Sequence, residues 1–226
     1  MRNIKFENNE YYHIYNRGVD KRDVFCDKED YLRFLESIRE LNNIESTGGF
    51  YRKYLKDKNE KDSLSRGLAS NLEAKPLLKL SFLTEVICYC LNPNHYHFIL
   101  EQLTNDGVSK FMHKVGTGYS SYFNQKYDRS GSLFQGPFKS IHINNNEYLL
   151  WLSGYINGNI EIHKISKAKN YKWCSYLDYL DKRNGTLCNR KIILSQFKDV
   201  KEYSKYVDMV IKESGKRKDL EKYFIE

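Results

Sequence analysis

Two pairs of side chains in this sequence have the types and spacing to do chemistry together. His95 and His97 flank a single tyrosine. On a β-strand alternate side chains share a face, so both imidazoles would emerge together and could share one metal ion. A bare His-x-His also fits two half-buried polar residues, but here a turn sequence precedes the pair and an apolar run follows it, which places it at the start of a strand. Tyr155 and Asn159 form the second pair. Four residues apart on a helix, a phenol and a carboxamide reach a common point. A tyrosine with a pKa of ~10 is a poor nucleophile at neutral pH and needs help. A divalent cation supplies that help by polarising the group under attack, with Asn159 as a neutral oxygen ligand. Without context, Tyr155 and Asn159 would pass as a buried aromatic and a surface amide, and Gly154 and Gly158 weaken the helix by ~1 kcal/mol each.

Strands and helices must bring these residues together. Residues 11–17 are rich in aromatics and β-formers and end at Gly18, so they read as a first strand and a turn. Asp27 can cap a helix over 28–41, where Tyr31, Leu32, Phe34, Leu35, Ile38 and Leu41 make a buried stripe. From about 42 to 79 the chain turns polar and irregular, which reads as an insertion between core elements. Residues 86–91 and 95–100 are strand candidates joined by the turn residues Asn92, Pro93 and Asn94. A helix over 108–127, a strand within 133–143 and a helix from near Glu147, capped within 144–146, complete the pattern. Beyond about 167 the sequence is basic and aromatic, with weak helical patterns near 195–212. This order predicts an α+β fold: a ferredoxin-like antiparallel sheet with helices on one face.

Composition narrows the partners. The 226 residues carry 37 Lys and Arg against 29 Asp and Glu, a net charge of +8, with 19 tyrosines and 12 phenylalanines. Basic groups neutralise phosphates and aromatic rings stack on unpaired bases, a combination that suits nucleic acid. No apolar run approaches the ~18 residues that cross a membrane, and the first residues lack the pattern of a secretory signal, so a cytoplasmic location is expected. Cys26, Cys88, Cys90, Cys174 and Cys188 form an odd set without a Cys-x-x-Cys pair and read as reduced thiols, with Cys88 and Cys90 packed on one strand face.

Four stretches then resemble one family in its own order. Leu91-Asn92-Pro93-Asn94-His95-Tyr96-His97-Phe98-Ile99-Leu100 resembles the HUH motif, His-hydrophobic-His, of REP-associated tyrosine transposases and their IS-type relatives. Tyr11-Tyr12-His13-Ile14-Tyr15-Asn16-Arg17-Gly18 is similar to that family's opening strand. The segment Ser130-Gly131-Ser132-Leu133-Phe134-Gln135-Gly136-Pro137-Phe138-Lys139-Ser140 resembles its Gly-x-Leu-(aromatic)-Gln-Gly-x-Phe-Lys stretch, and Tyr155-Ile156-Asn157-Gly158-Asn159 its Tyr-Ile-x-x-Asn. Pro137 stands where an arginine is common, and Ile160 follows Asn159 where proline is usual, leaving the helix end free to continue.

The resemblance implies an HUH endonuclease fold over residues 1–165, with the insertion at about 42–79, and a basic, partly helical extension over 166–226. It implies a metal-dependent transposase that cleaves and rejoins single-stranded DNA at or near hairpins. Tyr155 would attack a phosphodiester to form a 5′-phosphotyrosine link, and His95, His97 and Asn159 would hold Mg²⁺ or Mn²⁺. Candidates to grip DNA are Arg17, Lys21, Arg22, Lys114, Lys126, Arg129 and Lys139, each of which also fits an ordinary solvated charge. Related enzymes are monomers or homodimers. A domesticated hairpin-binding module without cleavage, and a replication initiator or relaxase, share much of this pattern.

Overall fold

The computed structural model describes residues 5–44 and 82–221. β1 (Tyr11–Arg17) is followed by a short 3-10 turn (Val19–Lys21) and α1 (Lys28–Glu40). Asp27 caps α1 in a reciprocal box: its carboxylate accepts from Asp30 N–H at 3.1 Å, and the Asp30 carboxylate accepts from Asp27 N–H at 3.3 Å. β2 (Thr84–Asn92) and β3 (His95–Gln102) form a hairpin through Pro93 and Asn94. Then come α2 (Gly107–Lys126), β4 (Lys139–Ile143) and α3 (Asn146–Ile162), the last capped by Asn145, whose side chain accepts from Tyr148 N–H at 2.7 Å. Two one-turn helices, α4 (Tyr176–Tyr179) and α5 (Lys191–Leu194), lead to α6 (Val200–Glu221).

The strands make one antiparallel sheet in the order β2-β3-β1-β4. With α1 between β1 and β2 and α2 between β3 and β4, this is the ferredoxin-like arrangement the element order predicts. Its helices are not confined to one face. Phe34, Ile38 and Phe111 of α1 and α2 pack with Tyr12, Ile14, Tyr96 and Phe98 on one side of the sheet. Leu152, Ile156 and Ile160 of α3 pack with Cys88, Cys90 and Ile99 on the other, joined by Tyr203 and Val207 of α6. The unbroken apolar run 86–91 already carries the reason, since a strand with only one buried face would alternate.

The C-terminal residues are built into the same body. Leu91 N–H donates to Trp173 O and Ser175 N–H to Tyr89 O, both at 2.9 Å, which braces the outer edge of β2. Behind α3, Asn157 donates to the Tyr203 hydroxyl at 2.8 Å and accepts from the Ser175 hydroxyl at 2.7 Å. All three residues are fully buried, so this network fixes how α3 is rotated. The segment expected as an insertion falls largely outside the described residues, but its flanks are clamped. Asn42 donates to Thr84 O at 2.7 Å and accepts from Thr84 N–H at 2.9 Å. No helix among the described residues is long and apolar enough to cross a membrane.

The two glycines that weaken α3 on propensity let α6 approach it. A Cβ on Gly154 would lie 3.0 Å from Val210 Cγ2, and one on Gly158 would overlap Ile211 Cγ1. Gly158→Ala should therefore lower stability by ~1–3 kcal/mol despite the better helix propensity of alanine. Gly116 in α2 has nothing within 4 Å of its would-be Cβ, and Gly116→Ala should raise stability by up to ~1 kcal/mol. Urea melts of both variants read the sign directly; equal signs would mean that α6 does not press on α3 as described.

Candidate active site

Strand register assembles one layer of the site. Residues paired across an antiparallel sheet share a face, and β1 and β3 pair Arg17 with His95 and Tyr15 with His97. On the far side of β3, Asn92 pairs with His95 and Cys90 with His97; on the far side of β1, Lys139 pairs with Tyr15. Both histidines thus face α3, as their alternate positions require. Gly18 permits the close turn that follows β1, since a Cβ there would collide with the Arg22 carbonyl. This turn in turn holds the hairpin: Gly18 N–H donates to Asn94 O at 2.9 Å, and Asn94 donates to Lys21 O at 3.0 Å.

α3 supplies the other layer. The Tyr155 ring meets the His97 ring edge to face, with centroids 5.9 Å apart and planes at 87°, and Trp151 stacks on it at 5.4 Å one turn earlier. One turn later, Asn159 is fully buried with Oδ1 3.2 Å from His95 Nε2. All four residues expected to carry chemistry therefore converge. α3 continues through Ile160 to Ile162, and this extra turn brings His163 to 4.7 Å from His95, ring to ring.

The site's protons can be placed from its hydrogen bonds. Asn94 gives its amide N–H to Lys21 O, so its Oδ1, 2.6 Å from His95 Nδ1, is an acceptor. His95 then carries its proton on Nδ1 and a lone pair on Nε2. Asn92 Nδ2 donates to that lone pair at 3.0 Å and to Asn159 Oδ1 at 2.8 Å. His97 Nδ1 lies 2.9 Å from Nε2 of His13, a buried histidine of β1 whose pKa burial lowers to about 4. Beside His97 on β2, burial pushes the Cys90 thiol well up, as does its hydrogen bond with Cys174, so Cys90 is an inert packing group.

The residues present fit a divalent cation. An imidazole lone pair and an amide oxygen 3.2 Å apart match neighbouring ligands of one ion bound at ~2.1 Å, which sit about 3 Å from each other. Asn159 Nδ2, a donor, is buried without a hydrogen-bond partner, so Oδ1 is the atom of this amide that could meet a cation. Among the described residues no three or more His, Cys, Asp or Glu side chains form a group that could hold a metal ion.

The basic candidates separate into two groups. Arg17 and Lys139 share the face of the histidines, and Lys21 and Arg22 are exposed in the turn beside the hairpin. Arg17 Nε is buried with no partner. Lys114, Lys126 and Arg129 belong to α2 and the loop after it, on the opposite side of the sheet. Lys126 is held by Asp27, Asp30 and Glu29 at 2.7, 2.9 and 3.2 Å, Lys114 donates to Asn43 O at 3.0 Å, and Arg129 donates to Asn124 at 3.2 Å. Sequence reasoning passed over His13, Asn92, Asn94, Trp151 and His163. Asn92 and Asn94 flank Pro93 in the turn, and Trp151 sits one turn before Tyr155, so spacing could have found these three; His13 needs the cross-strand register.

Residues 72–159 match the family model for IS200-like transposases. Among solved structures, a REP-associated tyrosine transposase bound to a REP hairpin aligns with a TM-score of 0.51 at 11% identity, covering 80% of this chain and 86% of that one. At that identity the likeness is one of fold. The tRNA(His) guanylyltransferase from Saccharomyces cerevisiae aligns at a TM-score of 0.35 and 11% identity, over 92% of this chain and 74% of that one, too weakly to support an argument. No curated protein sequence matches the chain. The matched segment 72–159 holds His95, His97, Tyr155 and Asn159, and the body around it is similar in fold to the REP-associated tyrosine transposase.

Proposed function

We propose that the protein cleaves and rejoins single-stranded DNA at or near hairpins, with Tyr155 as the nucleophile. Tyr155 set edge-on against His97, with Asn159 one turn further along reaching His95, supports this reading more than any other feature. The Tyr155 oxygen bonds to phosphorus as the bond to the 3′ oxygen breaks. The phenol gives up its proton and the departing oxygen takes one, leaving a 5′-phosphotyrosine and a free 3′-hydroxyl. Attack by that or another 3′-hydroxyl reverses the step and rejoins DNA without an outside energy source. When held by His95, His97 and Asn159, Mg²⁺ or Mn²⁺ supplies polarisation of the phosphate and neutralises charge on its oxygens. Asn92, by donating to Asn159 Oδ1, keeps that oxygen turned toward His95. Trp151, stacked on Tyr155, limits the swing of the phenol.

Arg17, Lys21, Arg22 and Lys139 are the phosphate contacts in this proposal. The partnerless Nε of Arg17, beside His95 on the sheet, suits an anionic ligand. Lys114, Lys126 and Arg129 have no part in it, because each bonds within the protein on the other side of the sheet. The solved transposase was bound to a REP hairpin, which supports hairpin DNA as the substrate here.

Incubated with labelled hairpin-bearing single strands and Mn²⁺, the protein should form a covalent adduct that survives denaturation, and Tyr155→Phe should form none. Binding without an adduct in either protein would reduce the molecule to a hairpin-binding module. Arg17→Ala should weaken DNA binding several-fold and flatten the salt dependence by about one unit of slope. Lys126→Met should leave that slope unchanged and lower stability by ~2 kcal/mol, because it removes a cation from the buried Asp30 carboxylate and leaves it with neutral donors from Cys26, Asp27, Tyr122 and Tyr127. A reversal of these two effects would place the DNA on the α2 side of the sheet.

A further inference from the structure

We infer that His13 is a positioning residue for the metal site: it fixes the ring and the tautomer of His97. The inference rests on His97 being a ligand. His13 and His97 are both buried, their rings lie at 20° to each other, and Nε2 of His13 is 2.9 Å from Nδ1 of His97. Tyr15 stacks on both rings, at 4.8 and 5.7 Å, and keeps them aligned. With Nδ1 turned to His13, coordination by His97 falls to Nε2. A nitrogen that binds a cation must offer a lone pair, so the His97 proton must sit on Nδ1 and be donated to His13.

The same logic already holds for the other ligand, where Asn94 Oδ1 takes the Nδ1 proton of His95 at 2.6 Å. Each imidazole of the pair thus has its own partner at Nδ1, one from the hairpin turn and one from β1. The His13 partner differs in one respect. An amide oxygen only accepts, whereas an imidazole can accept or donate, so the His13–His97 pair has two proton arrangements. In one, His13 donates to His97, and the proton of His97 occupies Nε2 and blocks coordination. In the other, His97 donates, and the proton of His13 lies on Nδ1, an atom buried with no partner. Cation binding selects the second arrangement.

Mn²⁺ binding, followed by electron paramagnetic resonance of the free ion, tests this without DNA. His13→Leu should weaken Mn²⁺ binding by about 10–100-fold, and His13→Gln, whose amide oxygen can stand where Nε2 stood, should recover most of it. The Mn²⁺ concentration giving half-maximal adduct should rise by the same factor. Unchanged affinity in His13→Leu, with His97→Ala impaired, would overturn the role of His13 alone. Unchanged affinity in His97→Ala would instead remove His97 as a ligand. Nitrogen NMR of the wild-type protein with Mg²⁺ is independent of how the variants fold: it should show the His97 proton on Nδ1, and a proton on Nε2 would overturn the inference.

Discussion

α3 lies between the sheet and α6, and the placement of Tyr155 and Asn159 against the histidines depends on how closely it is held there. Consecutive helical residues point about 100° apart, so Gly154 and Gly158 can face α6 while Tyr155 and Asn159 face the histidines. With no side chain at the glycines, α6 presses Val210 and Ile211 against the backbone of α3. On the sheet side, Ile156 and Ile160 are fully buried with Cys88, Cys90 and Ile99. Apolar packing sets the distance. The buried contacts of Asn157 with Tyr203 and Ser175 set the rotation, because a polar pair without partners in the core costs more than a slightly misfitting methyl group.

The hairpin that presents the histidines is held just as firmly from the opposite direction. Pro93 O accepts from Val24 N–H at 2.7 Å and from Phe25 N–H at 3.0 Å, so the chain after β1 grips the turn. Hence the first strand contributes more than a place in the sheet. It carries Arg17 and Tyr15 beside the histidines, positions His13 behind His97, and then folds back to fasten the turn between β2 and β3.

Local rules made much of this legible in the sequence. Alternation on a strand put His95 and His97 on one face, four-residue spacing put Tyr155 with Asn159, and Asp27 and Asn145 cap their helices as their side chains allow. Features that depend on distant residues were not legible. His13 reaches His97 only through the register of β1 on β3, 84 residues apart. Lys126 read as a candidate DNA contact or a solvated charge because its carboxylates lie 96 to 99 residues away. Gly154 and Gly158 looked like poor helix formers because the helix they accommodate comes some 50 residues later. The second layer of helices was implied by the apolar run in β2 and overlooked, since the number of helices expected sufficed for one face.

The clamp between Asn42 and Thr84 has a structural consequence. The chain leaves and re-enters the fold at adjacent points, each satisfied by the other's hydrogen bonds. The two ends of the intervening chain are therefore tied to each other whatever its length, and a change of length between them leaves the junction of α1 with β2 in place.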